Sequence, residues 1–186
     1  MERTREEYAI ILDYLSHGYP MDARPMYRRE TIAQAIGKDH FLLLELVPKK
    51  GITLSIGEEV YLGEGKRDKI HHILGRISMD TLTQTARGEL DHVINKLIDK
   101  NEKKIIAFFN KSGPINTRRH QIELLPGIGK KHMWEILEQR KEKEFDSFED
   151  MRKRIKLMPD PKKVVIKRIC MEINNEDKYK LFVGVI

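Results

Sequence analysis

The chain has 186 residues, 34% charged and 40% hydrophobic, with a formal net charge of +6 at pH 7. Its single cysteine, Cys170, excludes an intramolecular disulfide and a cysteine-cluster zinc site, and no apolar run reaches the ~20 residues a membrane-crossing helix needs. The charge is uneven: residues 1–95 carry 13 Lys and Arg against 15 Asp and Glu, residues 96–186 carry 22 against 14, so attraction to polyanions is expected of the second half. The N-terminus lacks an apolar signal region, and a soluble, cytoplasmic protein is expected.

The first part reads as strands. Tyr8–Leu15 is short and apolar and is closed by the turn residues His17–Gly18–Tyr19–Pro20. Thr31–Ile36 ends at Gly37, Phe41–Val47 at Pro48 and Gly51, and Gly57–Gly63 is bracketed by glycines; Lys69–Ile77 is the last run. Phe41–Val47 also fits a helical period, but its length and boundaries favour a strand. Five short strands separated by Gly/Pro turns predict an OB-like β-barrel over residues 1–82, within an α+β chain. Single strands of nucleic acid bind such barrels by stacking bases on rings while cations track the backbone. Arg28, Arg29 and Tyr61 are candidates, with Tyr27 beside them, and so are Lys66, Arg67, Lys69 and Arg76. His71 and His72 could join them, but neighbours on a strand point to opposite faces, so one at the core edge and one at the surface are expected, with no metal bound.

From Ser78 the pattern becomes helical, with Ser78 or Asp80 as the cap and Leu90, Val93, Ile94, Leu97 and Ile98 at helical spacing. Asn101 is expected to cap a second helix, which ends before Ser112–Gly113–Pro114. His120–Leu125 reads as a short helix and Lys130–Glu142 as a longer one. Ser147 caps Phe148–Ile155, with Asp150 as a capping-box acid. Pro161 sits in the first turn of a last helix reaching Ile173, with Cys170 on its apolar stripe, and Tyr179–Val185 is expected to be a strand. Residues 83–186 thus form a helical domain.

Within it, Leu124–Leu125–Pro126–Gly127–Ile128–Gly129–Lys130–Lys131 carries the most specific pattern. Glycines take positive φ without strain, and amides at a helix start lack intrahelical partners and can donate to an anion. Lys130 and Lys131 add full charge at the same place. The mononucleotide P-loop is excluded, since residue 131 is Lys and residue 124 is Leu, and a dinucleotide fingerprint is excluded by His132. The stretch resembles a helix-hairpin-helix motif over residues 120–140. That resemblance implies backbone binding of nucleic acid without sequence readout, through Gly127, Ile128, Gly129, Lys130 and Lys131. Lys111, Arg118, Arg119 and His120, just upstream, could reach a second phosphate. Residues 148–173 repeat the helix–turn–helix arrangement with no Gly in the turn and read as a degenerate second hairpin.

The whole chain resembles an uncharacterised archaeal family described as RNA- or nucleotide-binding, with an N-terminal OB-like domain and a C-terminal helix-hairpin-helix domain. Asp39–His40–Phe41–Leu42–Leu43–Leu44–Glu45 and Lys69–Ile70–His71–His72–Ile73–Leu74–Gly75–Arg76 carry that resemblance. It implies RNA in preference to DNA. The expected function is non-enzymatic nucleic-acid binding without a cofactor. The alternatives are an interaction module on a ribosomal or transcription protein, a DNA-repair accessory protein on duplex DNA, and a metal-dependent nuclease using Asp80, Glu89 and Asp91.

Overall fold

In the computed structural model, which describes residues 4–184, the five apolar runs are strands: β1 (Tyr8–Leu15), β2 (Ile32–Gly37), β3 (Leu43–Pro48), β4 (Glu59–Tyr61) and β5 (Ile70–Arg76). They pair antiparallel in the order β4-β1-β2-β3-β5. Among the described residues β4 and β5 do not pair, so the sheet is a curled half-barrel with an open side and not a closed cylinder. The curl has local causes. The β1–β2 register shifts between Ile11 and Asp13, and the β3–β5 register shifts twice, and each extra residue bends its strand and raises the twist. Ala9, Ile11, Ala35, Leu44, Leu46 and Val60 fill the apolar core of the sheet.

Glu6 organises the β2–β3 turn. Its buried carboxylate accepts from the backbone N–H groups of Asp39 (3.0 Å), His40 (3.0 Å) and Leu42 (3.1 Å). Burial pushes this carboxyl above its ordinary range, while the Leu42, Asp39 and His40 amides pull it back. Phe41 is held in the left-handed region at φ 54°, and Gly37 has to lack a side chain, because a Cβ there would lie 1.9 Å from the Glu6 carboxyl carbon.

The helices are α1 (Gln84–Lys100), α2 (Glu102–Lys111), α3 (Lys130–Glu142), α4 (Phe148–Arg154) and α5 (Pro161–Ile173). The expected start at Ser78 is instead a single 3-10 turn, Met79–Thr81, without a side-chain cap. Thr83 caps α1: its Oγ1 accepts from Ala86 N–H (3.1 Å) and donates to Asp13 (2.6 Å). Asn101 does not cap α2 with its side chain, since its Nδ2 donates back to the Leu97 carbonyl. At α4, Ser147 Oγ accepts from Asp150 N–H as expected, but the Asp150 carboxylate closes on Asp146 N–H, one residue ahead of the cap, and pairs with Arg154. Cys170 is half-buried.

Two further departures matter. The segment between α2 and the turn forms a small antiparallel hairpin, β6 (Pro114–Asn116) and β7 (Arg119–His120), and the expected helix at His120–Leu125 is a single 3-10 turn, Gln121–Leu124. The expected C-terminal strand is absent from residues 179–184, and Val185 lies outside the described residues. Leu181 and Phe182 are buried without joining a ladder. The chain divides into two units, Met1–Ile94 with Ile173–Ile186, and Asn95–Glu172.

Candidate functional site

Leu125–Pro126–Gly127–Ile128 is a tight turn closed by Ile128 N–H donating to the Leu125 carbonyl at 3.1 Å. Pro in the second position and φ +83° at Gly127 in the third are the requirements of a type II turn. Ile128 buries its side chain and spends its amide inside the turn, so this residue, expected to donate to a ligand, holds the loop instead. Gly129 is the N-cap of α3, and the first amides of α3 have no intrahelical partner. The Gly127 and Gly129 N–H groups donate to no protein acceptor among the described residues. From behind, Arg168 of α5 donates to the Leu124 carbonyl at 3.0 Å and pairs through Nε with Glu172 at 2.7 Å; the two side chains are 1% and 0% exposed. The α4–α5 loop repeats a left-handed residue, Leu157 at φ 59°, and brings Pro159 within 3.6 Å of where a Gly127 Cβ would stand.

Beside the turn, the β6–β7 hairpin and α3 enclose a cleft of about 480 Å³. Asn116, Thr117, Arg118, Arg119 and His120 line one side, and Lys130, Met133, Trp134 and Leu137 the other. The Asn116 carboxamide oxygen accepts from Arg118 N–H at 2.9 Å and shapes the hairpin tip. Arg118, Arg119, Lys130 and Lys131 are all exposed, and none of their charged groups meets a protein partner among the described residues. Uncommitted cations have their full charge available to an anion. Lys131 sits at the start of α3 but does not line the cleft, nor does Lys111 at the end of α2.

His120 plays a different part from the cation expected of it. Its Nδ1 accepts from Ile122 N–H (3.2 Å) while its backbone N–H donates to the Glu123 carboxylate (2.8 Å), a capping box for the 3-10 turn. Burial, and then the positive charge of Arg140, hold the imidazole below its ordinary value against the pull of Glu123. Trp134 was not singled out by the sequence reading, although it stands four residues from Lys130 on the same helix face.

In the sheet unit, Tyr61, Arg67 and Arg76 converge on a cleft of about 760 Å³ on the open side, and Lys66 lines a smaller neighbouring hollow with Arg67. Here the polar groups are largely spent. Arg67 donates to the Gly63 carbonyl (3.0 Å), Arg76 to the Thr4 carbonyl (2.5 Å), and Tyr61 Oη accepts from Gly65 N–H. Lys69 pairs with Glu58. Arg28 and Arg29 lie away from both hollows: Arg28 stacks over Tyr27, and Arg29 staples its own loop through the Arg24 and Tyr19 carbonyls. His71 and His72 do not point apart. Their Nδ1 atoms stand 2.7 Å from each other, next to the register shift at Val47 and Pro48 that breaks the strand alternation.

No helix among the described residues is long and apolar enough to cross a membrane. The uncharacterized protein MJ0038 of Methanocaldococcus jannaschii is 44% identical over 180 residues, which cover 96% of this chain and 80% of that relative. The crystal structure of Af1531 from Archaeoglobus fulgidus aligns with a TM-score of 0.85 and 46% identity, over 96% of this chain and 99% of that one. Residues 5–184 match the family described as a protein of unknown function, DUF655, and the chain belongs to that family.

Proposed function

We propose that this is a non-enzymatic nucleic-acid-binding protein that grips backbone phosphates with a helix-hairpin-helix turn and takes RNA in preference to DNA. The observation that carries the reading is the set of four exposed cations without protein partners among the described residues, Arg118, Arg119, Lys130 and Lys131, together with a turn whose Gly127 and Gly129 amides are likewise unspent. Amides at a helix start favour an anion, and lysines beside them raise its local concentration. Such contacts position a strand without reading its sequence. The preference for RNA follows the family resemblance carried by residues 39–45 and 69–76. The curled sheet, read as OB-like, supplies a separate surface where Tyr61 and Lys66 stand beside Arg67 and Arg76.

The test is fluorescence anisotropy with labelled single- and double-stranded RNA and DNA at low salt. Wild type is expected to bind, and Lys130→Glu with Lys131→Glu to lose at least tenfold in affinity, since two attractive contacts become repulsive. Unchanged binding by that variant ends the proposal. The exposure of Met21, Met26 and Tyr27 favours a second reading, a module docking on a ribosomal or transcription protein. Ribosome co-sedimentation lost on changing these three to Ser would favour it.

A further inference from the structure

We infer that the cleft between the β6–β7 hairpin and α3 seats one unpaired nucleotide, its base stacked on the Trp134 indole and its phosphates met by Arg118, Arg119 and Lys130. This rests on the nucleic-acid reading above and goes beyond it. Backbone gripping asks only for phosphates, whereas a stacking seat asks for a base whose face is free.

Three observations converge. Trp134 is 60% exposed, an unusual place for the largest apolar side chain, and it lines the cleft. Lys130, Met133, Trp134 and Leu137 follow the i, i+3, i+4, i+7 spacing of one helix face, so α3 presents a cation, an indole and an apolar floor to the same space. Across from them the hairpin brings Arg118 and Arg119, with Asn116 and Thr117 offering donors and acceptors suited to a base edge. Three cations line the cleft against one carboxylate, Glu123, which is already engaged by His120 N–H. The chemistry is therefore apolar and aromatic below, cationic at the sides, as an unpaired nucleotide requires. The volume of about 480 Å³ lies within the ~300–1,000 Å³ common for small-ligand clefts. A base-paired strand is a poor occupant, because its bases are stacked on one another and cannot turn a face to the indole.

Trp134 is the only tryptophan of the chain, so intrinsic fluorescence reports on this cleft alone. The full chain is titrated with labelled oligo-U, oligo-dT and a duplex RNA, each about 12 nucleotides long, with anisotropy recording binding and tryptophan emission recording stacking. Single strands are expected to quench the emission in step with binding, and the duplex to leave it unchanged at equal occupancy. Trp134→Ala is expected to weaken single-strand binding roughly 5- to 100-fold with duplex binding within about twofold, and Trp134→Phe to restore part of the loss. Comparing oligo-U with oligo-dT tells whether the strand is RNA or DNA. Binding of single strands without quenching, or with Trp134→Ala equal to wild type, overturns the stacking seat and leaves the backbone grip standing. Absence of binding by every polymer overturns both.

Discussion

Arg168 is where the Leu125–Ile128 turn is most exposed to attack from within the core. Its guanidinium joins Glu172 and the Leu124 carbonyl in a space closed to water, with side-chain exposures of 1% and 0%. Arg168→Met keeps much of the volume but takes the guanidinium away from the buried Glu172 carboxylate and removes a donor from the base of the turn. Breaking one partner out of a buried pair costs about 3–5 kcal/mol. At about 2–4 °C per kcal/mol for a chain of this size, the midpoint of thermal unfolding should fall by roughly 6–20 °C. The double variant Arg168→Met, Glu172→Leu removes both charges and should recover part of the loss. Urea titration followed by circular dichroism measures all three proteins. A single variant within 1 kcal/mol of wild type, or a double variant no better than the single, refutes this reasoning.

Two smaller perturbations probe the turn and its cleft. Gly127→Ala finds room, since the nearest atom would be Pro159 Cγ at 3.6 Å, but must adopt φ +83°, which costs an L-residue about 1–2 kcal/mol; Gly127→Asn, more tolerant of that region, should cost less, and thermal melts rank the two. The folded state holds the His120 imidazole below its ordinary 6.5, so the unfolded chain binds more protons as pH falls through that range. Stability is therefore present above 6.5 and lost below it, and unfolding midpoints taken from about pH 7.5 to about pH 5 should show a fall that His120→Asn removes.

Where local chemistry decided the outcome, the sequence was legible. Tyr8–Leu15 and Lys130–Glu142 run between the boundaries their turn residues and caps imply. The left-handed Gly127 followed from Pro-Gly, and Ser147 capped α4. Where burial or a distant partner decided, it was not. The β6–β7 hairpin has strands of three and two residues, too short for any period, and it is fastened by Gln121, whose backbone N–H and side-chain oxygen both bond Gly113. Leu181 and Phe182 look like a strand because they are apolar, yet burial is satisfied there without a ladder, with Gly184 N–H donating to the His40 carbonyl. Ser78 and Asp80 looked like caps, but Thr83 won because Asp13 of β1 accepts its hydroxyl proton. The candidate site was half legible. Gly127, Gly129, Lys130 and Lys131 stand out in the string, whereas the convergence of Arg118 and Arg119 with Trp134 depends on a hairpin that no local pattern announces.

If the turn and its neighbouring cations hold phosphates, the slope of log affinity against log salt measures it directly. Each phosphate neutralised adds about 0.9 to the slope on a duplex and about 0.7 on a single strand. Removing two cations with Lys130→Gln and Lys131→Gln should flatten the wild-type slope by about 1.4 to 1.8 and converge with it in affinity as salt rises. A wild-type affinity that does not fall with salt, or parallel slopes for the two proteins, would contradict the account.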